Sequence, residues 1–176
     1  AALHSVYDEA TFRAHTGTTM GTHKWVDTRI YRNIDEPLTQ LKNNNYQIIA
    51  ADTSGDTLDY REVDYTMPTA VLLGAEKYGI SDAAYPHIDQ CVTVPMLGMV
   101  ESFNVGVACA IILAEARGQR EAAGFYEKRQ MPEESYTKTL FEWTQPLVAK
   151  YCQKHDLPYP ALNEKGDIVD LAWRKG

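Results

Sequence analysis

The chain has 176 residues, 44% of them hydrophobic and 23% charged, which is the composition of a soluble globular protein with one real core. Its formal net charge of −7 argues against a nucleic-acid partner on charge alone, because phosphate contacts require lysine and arginine. The longest strongly apolar stretch, from Val105 to Ala116, is too short to span a bilayer, and no secretory signal opens the chain.

Short β-branched or apolar runs alternate with polar, helix-compatible stretches along the first part of the chain. This alternation predicts an α/β fold with a mostly parallel sheet and helices on both faces. The predicted strands are Leu3–Tyr7, Val26–Ile30, Tyr46–Ala51, Thr69–Gly74 and Gln90–Pro95. After the second strand, Asp35 as N-cap and Pro37 in the first turn predict a short helix.

A second predicted helix, Asn104–Gln119, is apolar almost all round and rich in small residues. Ser102 is its predicted N-cap. A helix of this kind must be covered on more than one side. The sheet can cover one side and a second subunit the other, so we expect a homodimer.

Beyond Gly124 the composition becomes aromatic and charged. The spacing predicts a long helix from about Pro132 to His155, kinked or split by Pro146, and then an extended tail. We therefore expect a domain over residues 1–124 and a helical extension with a tail over residues 125–176.

The cysteines and histidines of the chain show neither disulfide nor metal-ligand spacing. Cys91, Cys109 and Cys152 are odd in number and widely separated, and none belongs to a CxxC pair. This argues against a disulfide framework and a zinc site, and it fits a reducing cytoplasm. We expect no metal and no membrane partner.

The first candidate functional segment runs from Val71 to Ser81, where a buried strand leads into a turn with Gly74, Glu76 and Gly79. In open α/β sheets ligands bind beyond the carboxyl ends of the strands. We expect Gly74 to let the backbone approach a ligand closely. Taken alone, the segment is better explained as an acidic turn before a helix than as a ligand-binding loop. The absence of GxGxxG disfavours a nucleotide-binding oxidoreductase.

The second segment, Val92 to Ala108, contains a strand, a glycine-bearing loop, and Ser102 and Asn104 at the start of a buried helix. A helix cap explains the serine and asparagine, but it does not explain the apolar loop before them. Apolar walls beside helix-terminal donors suit an adenosine that carries a sulfonium side chain.

Together the two segments resemble the second and third motifs of the SpoU family of RNA ribose 2'-O-methyltransferases. The matching patterns are Leu-Gly-x-Glu-x-x-Gly-Ile-Ser and Pro-Met-x-Gly-x-x-x-Ser-Phe-Asn-Val-x-Val-Ala, in the family's order and spacing. The outer segments, Asp59–Thr66, Ala116–Arg120 and Leu157–Pro160, resemble the tRNA guanosine-2'-O-methyltransferase branch. The resemblance therefore covers most of the chain.

This resemblance implies the SPOUT fold, in which the C-terminal part of the α/β domain forms a deep trefoil knot and two subunits share the active site. It implies S-adenosylmethionine as cofactor, S-adenosylhomocysteine as product, and tRNA as substrate, modified at guanosine 18 of the D-loop. The family's catalytic residues correspond to Asn104, Ser102 and Glu76. Its cofactor-binding residues correspond to Leu73, Gly74, Val94, Met96, Gly98, Ser102 and Phe103.

The resemblance also implies roles for these residues. Ser102 and Asn104 orient the ribose or the cofactor, and Glu76 positions Asn104 or the arginine of the family's first motif. That arginine has no counterpart in these 176 residues, and we expect it upstream of Ala1.

Three basic residues, Arg117, Arg120 and Lys128, follow the motif-bearing helix. A solvated face explains them as well as an RNA-binding face does. The basic character of the tRNA branch in this region favours RNA contacts for Arg120 and Lys128.

Two further functions stay open. One is methylation of ribosomal RNA by a member of the same family, although such enzymes commonly carry a separate N-terminal RNA-binding domain. The other is a non-catalytic, cofactor-binding RNA-binding module.

Overall fold

The computed structural model describes residues 2–6, 26–75, 78–98, 102–170 and 173, and the chain divides into two compact units between Gly124 and Phe125. The first unit contains the strands β1 (Ala2–Val6), β2 (Asp27–Tyr31), β3 (Gln47–Ala51), β4 (Leu58–Asp59), β5 (Thr69–Leu73) and β6 (Gln90–Thr93). Its α-helices within these ranges are α1 (Asp35–Asn43) and α2 (Val105–Ala122).

Four of the strands form a parallel sheet in the order β4-β6-β3-β5. At its centre, Ala51 of β3 lies opposite Leu73 of β5 and Val92 of β6, so the carboxyl ends of the three strands lie along one edge. The strands β1 and β2 form a separate parallel pair. The sequence predicted five of these strands to within one or two residues at each end, but it predicted neither the two-residue β4 nor the division into two sheets.

Helical segments cover both faces of the four-stranded sheet, as predicted. Successive side chains of a strand point to opposite faces, and Ile48 and Ile49 are both fully buried. Ile49 packs in a cluster with Ile112 of α2. Ile48 packs in a second cluster with Leu38 of α1 and Ala84 of a 3₁₀ helix.

The predicted cap of α1 is wrong. Asp35 is already inside the helix, Ile34 occupies the N-cap position, and no side chain of that position caps the helix. Instead, the Oδ1 atom of Asn33 accepts a hydrogen bond from the backbone N–H of Glu36 at 3.0 Å. The carboxylate of Asp35 lies 3.3 Å from Nε2 of His87, so it faces the neighbouring 3₁₀ helix rather than its own first turn.

The second unit is built on the helices α3 (Glu133–Thr144) and α4 (Pro146–His155). Pro146 splits the predicted long helix, because it occupies the first turn of α4, where its missing N–H costs no hydrogen bond. Leu157 and the residues after it were predicted to form an extended tail, and this prediction is wrong.

The tail of the second unit folds back on the helices of that unit. The ring of Tyr159 stacks on Phe141 with centroids 4.5 Å apart, and Leu162 and Ile168 form an antiparallel bridge. The side-chain amide of Gln145 donates to the carbonyl of Gly166 at 2.9 Å. Aromatic stacking and side-chain bonds to the backbone therefore hold a segment whose own sequence has no helix or strand period.

Candidate functional site

A cavity of about 530 Å³ lies at the carboxyl edge of the four-stranded sheet. One side is formed by residues at or just beyond the ends of the three adjacent strands β3, β5 and β6, namely Ala51, Asp52, Thr53, Gly74, Ala75, Val92, Thr93 and Val94. The other side is formed by the start of α2 and the residues before it, including Ser102, Phe103 and Asn104. The two segments that the sequence singled out therefore meet at one site.

The loop after β5 folds tightly on itself. Ala75 and Gly79 exchange two backbone hydrogen bonds, at 2.9 and 2.8 Å, and the φ of +67° at Gly79 is a conformation that glycine adopts without strain. A Cβ atom on Gly74 would lie 2.5 Å from the carbonyl carbon of Gly79. Glycine at this position is therefore required by the close approach of its own chain. Gly74 also lines the cavity, and its approach to a ligand stays a prediction.

Asn104, and not Ser102 as predicted, is the N-cap of α2. The Oδ1 atom of Asn104 accepts a hydrogen bond from the backbone N–H of Gly106 at 2.8 Å. Its backbone carbonyl accepts from Val107 and Ala108. The helix begins two residues later than a serine cap would require, so Ser102 belongs to the loop that lines the cavity.

The predicted cofactor-binding residues divide into two groups. Gly74, Val94, Ser102 and Phe103 line the cavity, as does Asn104 from the predicted catalytic set. Leu73, Met96 and Gly98 are not among the described lining residues. Glu76 lies outside the residues that the structure describes.

Sequence reasoning missed Asp52, which follows β3 and lines the cavity. Its backbone N–H donates to the carbonyl of Val92 at 3.1 Å, and its Oδ2 atom accepts from the hydroxyls of Tyr85 at 2.7 Å and Ser54 at 2.8 Å. Burial raises the pKa of Asp52, but the hydrogen bonds from Tyr85 and Ser54 outweigh burial, so this pKa lies below its ordinary value. Its position after a central parallel strand was the available signal.

The predicted RNA-binding residues have different environments. Arg117 is exposed and lies 3.9 Å from the carboxylate of Glu121. Arg120 donates from Nε to the carbonyl of Tyr65 at 2.8 Å and from Nη2 to that of Met67 at 3.2 Å, so two of its N–H groups hold a loop of the first unit. Lys128, in the second unit, is exposed.

Neither metal binding nor a membrane crossing is supported within the described ranges. There, no group of three or more histidine, cysteine or acidic side chains could hold a metal ion. None of the helices in those ranges has the length and apolar character to cross a membrane.

Two family profiles match the chain. The profile described as "SpoU rRNA Methylase family" matches residues 3–114, and the profile described as "SpoU, rRNA methylase, C-terminal" matches residues 118–171. The chain belongs to the SpoU methylase family. The first SpoU match includes every described residue that lines the cavity.

Curated SpoU relatives are similar over most of the chain. A tRNA (guanosine(18)-2'-O)-methyltransferase of Escherichia coli K12 is 40% identical over 174 residues, which cover 97% of this chain and 76% of that protein. A protein of the same name from Thermus thermophilus is 46% identical over 126 residues, covering 72% of this chain and 65% of that protein.

Solved structures agree with the fold. The TrmH/SpoU tRNA modifying enzyme of Aquifex aeolicus has a TM-score of 0.72 and 34% identity, and the match covers 89% of this chain and 77% of that one. The SpoU methyltransferase AviRb of Streptomyces viridochromogenes, in complex with AdoMet, has a TM-score of 0.62 and 25% identity, covering 69% and 50%.

Proposed function

We propose that this protein methylates a ribose 2'-hydroxyl of tRNA, at guanosine 18, with S-adenosylmethionine as the methyl donor. The cavity between the β5 loop and the start of α2 carries the proposal, because it places the two SpoU motifs around one site. The E. coli and T. thermophilus relatives are named for guanosine 18 of tRNA, and the AviRb structure holds AdoMet.

The cavity fits this cofactor in size and in chemistry. Its volume falls within the range of about 300–1,000 Å³ that small-molecule pockets occupy. Val94, Phe103 and Ala108 are the lining residues that offer accessible apolar surface for an adenine ring, while the backbone of Gly74 and the side chain of Ser102 offer polar groups. When bound, the cofactor supplies a methyl group activated by a sulfonium charge.

The start of α2 positions the reactants. Ser102 and Asn104 stand at the positive end of the helix dipole, and both line the cavity. We infer that these two side chains orient the ribose. Orientation of this kind is a large part of catalysis in a displacement between two bound reactants. Glu76 keeps the positioning role that the resemblance implies.

RNA binding is assigned to Arg117, Arg120 and Lys128. The exposed side chains of Arg117 and Lys128 support phosphate contacts. For Arg120 the support is weaker, because two of its N–H groups are bonded within the protein and only the remainder can reach a phosphate.

An exposed apolar face on α2 supports the homodimer. Val107 and Leu113 are 46% and 53% exposed, and Ala110 and Ala114 between and beside them are also exposed. Positions three, four and seven apart share one face of a helix, so these residues form a stripe. A second copy of the chain is the partner that we assign to it.

The family's architecture completes the proposal. Residues 1–124 are assigned as the methyltransferase domain and residues 125–176 as its helical extension, with the C-terminal part of the domain threaded into the trefoil knot of the SPOUT fold. The three free cysteines and a tRNA substrate fit a cytoplasmic location.

Transfer of labelled methyl groups to tRNA tests this function. The protein, with any residues that precede Ala1 in its natural form, is incubated with labelled S-adenosylmethionine and an unmodified tRNA transcript. Mass spectrometry should map one 2'-O-methyl group to guanosine 18. A matched transcript with 2'-deoxyguanosine at that position should accept none. Binding of the cofactor without transfer to any RNA would leave only the non-catalytic module, and transfer to ribosomal RNA alone would reassign the substrate.

A further inference from the structure

Among the described residues that line the cavity, a single one carries a formal charge. That residue is Asp52, and all the others are aliphatic, aromatic, glycine, hydroxyl or amide residues. The start of α2, which also lines the cavity, contributes about half a positive charge through the helix dipole, so the full negative charge of the carboxylate sets the sign of the local field.

The carboxylate of Asp52 is held in place from several directions. Its Oδ2 atom accepts from two hydroxyls, and its Oδ1 atom accepts from the backbone N–H of Ser54 at 3.1 Å. Tyr85 and Ser54 therefore occupy both lone pairs of Oδ2 and one of Oδ1. The carboxylate of Asp52 therefore has little remaining capacity to accept hydrogen bonds from a ligand, but it keeps its full negative charge.

Charge is the property in which the cofactor and its product differ. S-adenosylmethionine carries a sulfonium cation, and S-adenosylhomocysteine is the neutral thioether that lacks only the transferred methyl group. A cavity of about 530 Å³ is roughly one Debye length across, about 8 Å at physiological ionic strength, so a ligand inside it feels the carboxylate with little screening.

We propose that Asp52 is a charge-selecting residue, held by Tyr85 and Ser54, that makes the pocket prefer the sulfonium cofactor over its neutral product. The inference rests on the proposed use of S-adenosylmethionine. It gives the pocket a means of releasing product, since the attraction is lost when the positive charge is lost.

Calorimetric binding to the wild type and to Asp52→Asn tests the proposal. The ligands are S-adenosylmethionine, S-adenosylhomocysteine, and sinefungin, whose ammonium group replaces the sulfonium. The substitution should weaken both cationic ligands by about tenfold, equivalent to about 1.4 kcal/mol, and should change the affinity for S-adenosylhomocysteine by less than about twofold. Asp56→Asn makes the same change at an exposed position of the same loop and should alter none of the three.

Each other result has a definite meaning. Equal weakening of all three ligands would overturn the proposal, because Asp52 would then act through hydrogen bonds or through loop structure. Unchanged affinities would also overturn it. A wild type that binds none of the ligands would instead refute the proposed function, and this inference with it.

A second measurement uses only the wild type, in case Asp52→Asn does not fold. Raising the salt concentration to about 1 M shortens the Debye length to about 3 Å, well below the width of the cavity. This should weaken binding of S-adenosylmethionine more than binding of S-adenosylhomocysteine, because salt then screens the additional charge pair. An equal salt response of the two ligands would overturn the proposal.

Discussion

Asn104 combines a structural bond with a position in the cavity. Its side-chain oxygen caps α2 through the N–H of Gly106, and the residue is one of those that line the cavity. A loss of activity on removal of this residue would therefore not separate catalysis from helix capping. A variant that keeps the cap oxygen is needed to separate the two effects.

We expect Asn104→Ala to lower the free energy of unfolding by about 1 kcal/mol, because the cap is lost. Methyl transfer should fall by at least about tenfold. Asn104→Asp keeps the cap oxygen and loses the amide N–H₂ group, so it should recover the stability without recovering the rate. Thermal melts and single-turnover transfer to tRNA measure the two effects. Full activity in Asn104→Asp would make Asn104 a cap and nothing more.

The carboxylate of Asp52 should make stability depend on pH in a defined direction. Its folded pKa lies below the ordinary value, so its contribution is present above the unfolded pKa of about 4 and is lost as the pH falls through the folded pKa. Tyr85→Phe removes one of the bonds that lower the folded pKa, so the contribution should be smaller and its loss should be complete at a higher pH. Carboxyl NMR titration of Asp52 measures the shift. Tyr126→Phe, at an exposed tyrosine of the second unit, is the control, and identical titrations in all three proteins would contradict the prediction.

At the scale of elements, the C-terminal half of α2 holds residues 63–67, which connect a short 3₁₀ helix, Tyr60–Glu62, to β5. Gln119 accepts a hydrogen bond from the backbone N–H of Tyr65 at 2.9 Å and donates to the carbonyl of Val63 at 3.0 Å. Arg120 donates to the carbonyl of Tyr65 as well. A segment without helix or strand pairing thus satisfies its backbone groups through two side chains of a helix that is distant in sequence.

Gln119→Ala should lower the free energy of unfolding by about 1–3 kcal/mol, because it leaves a buried N–H and a carbonyl without these partners. Urea denaturation measures the loss. Arg117→Ala, on the exposed face of the same helix, should cost no more than about 0.5 kcal/mol. Equal losses of unfolding free energy in the two variants would show that the hydrogen bonds of Gln119 to Val63 and Tyr65 contribute nothing to stability beyond helix propensity.

At the scale of the whole molecule, the apolar stripe on α2 has no cover within the described part of the chain. Exposed apolar surface that continues along one face of a helix marks an interaction site. A homodimer buries this stripe without requiring a second kind of protein, because a two-fold axis pairs the same stripe on both copies.

Light scattering at micromolar concentration should return the mass of a dimer. Leu113→Glu places a charge within the stripe, at the more exposed of its two large apolar residues, and should shift the mass toward that of a monomer, since burying an unpaired charge costs several kcal/mol. Asp56→Asn, at an exposed position outside α2, should leave the dimer intact. A monomeric wild type would refute the assignment.

The sequence alone was enough to predict five strands, helices on both faces of the sheet, the break at Pro146 and the family. The signals were the hydrophobic periodicity, the turn residues and the two motifs with their spacing. These features depend on residues close together in sequence, and their physical basis is local hydrogen bonding and the alternation of buried side chains. The motif residues Gly74, Val94, Ser102, Phe103 and Asn104 lie around one cavity, whereas Leu73, Met96 and Gly98 are not among its described lining residues. The roles assigned to all of these residues remain predictions.

Only the tertiary structure decided which residues meet across long separations. Asp52 reaches the cavity because β3 lies between β5 and β6 in register, and Arg120 turns inward because the carbonyls of Tyr65 and Met67 lie beside it. Asp35 faces His87 instead of capping its helix, and the tail folds back on Phe141. Strand order, register and packing fix these contacts, and residues so far apart along the chain carry no local signal of them.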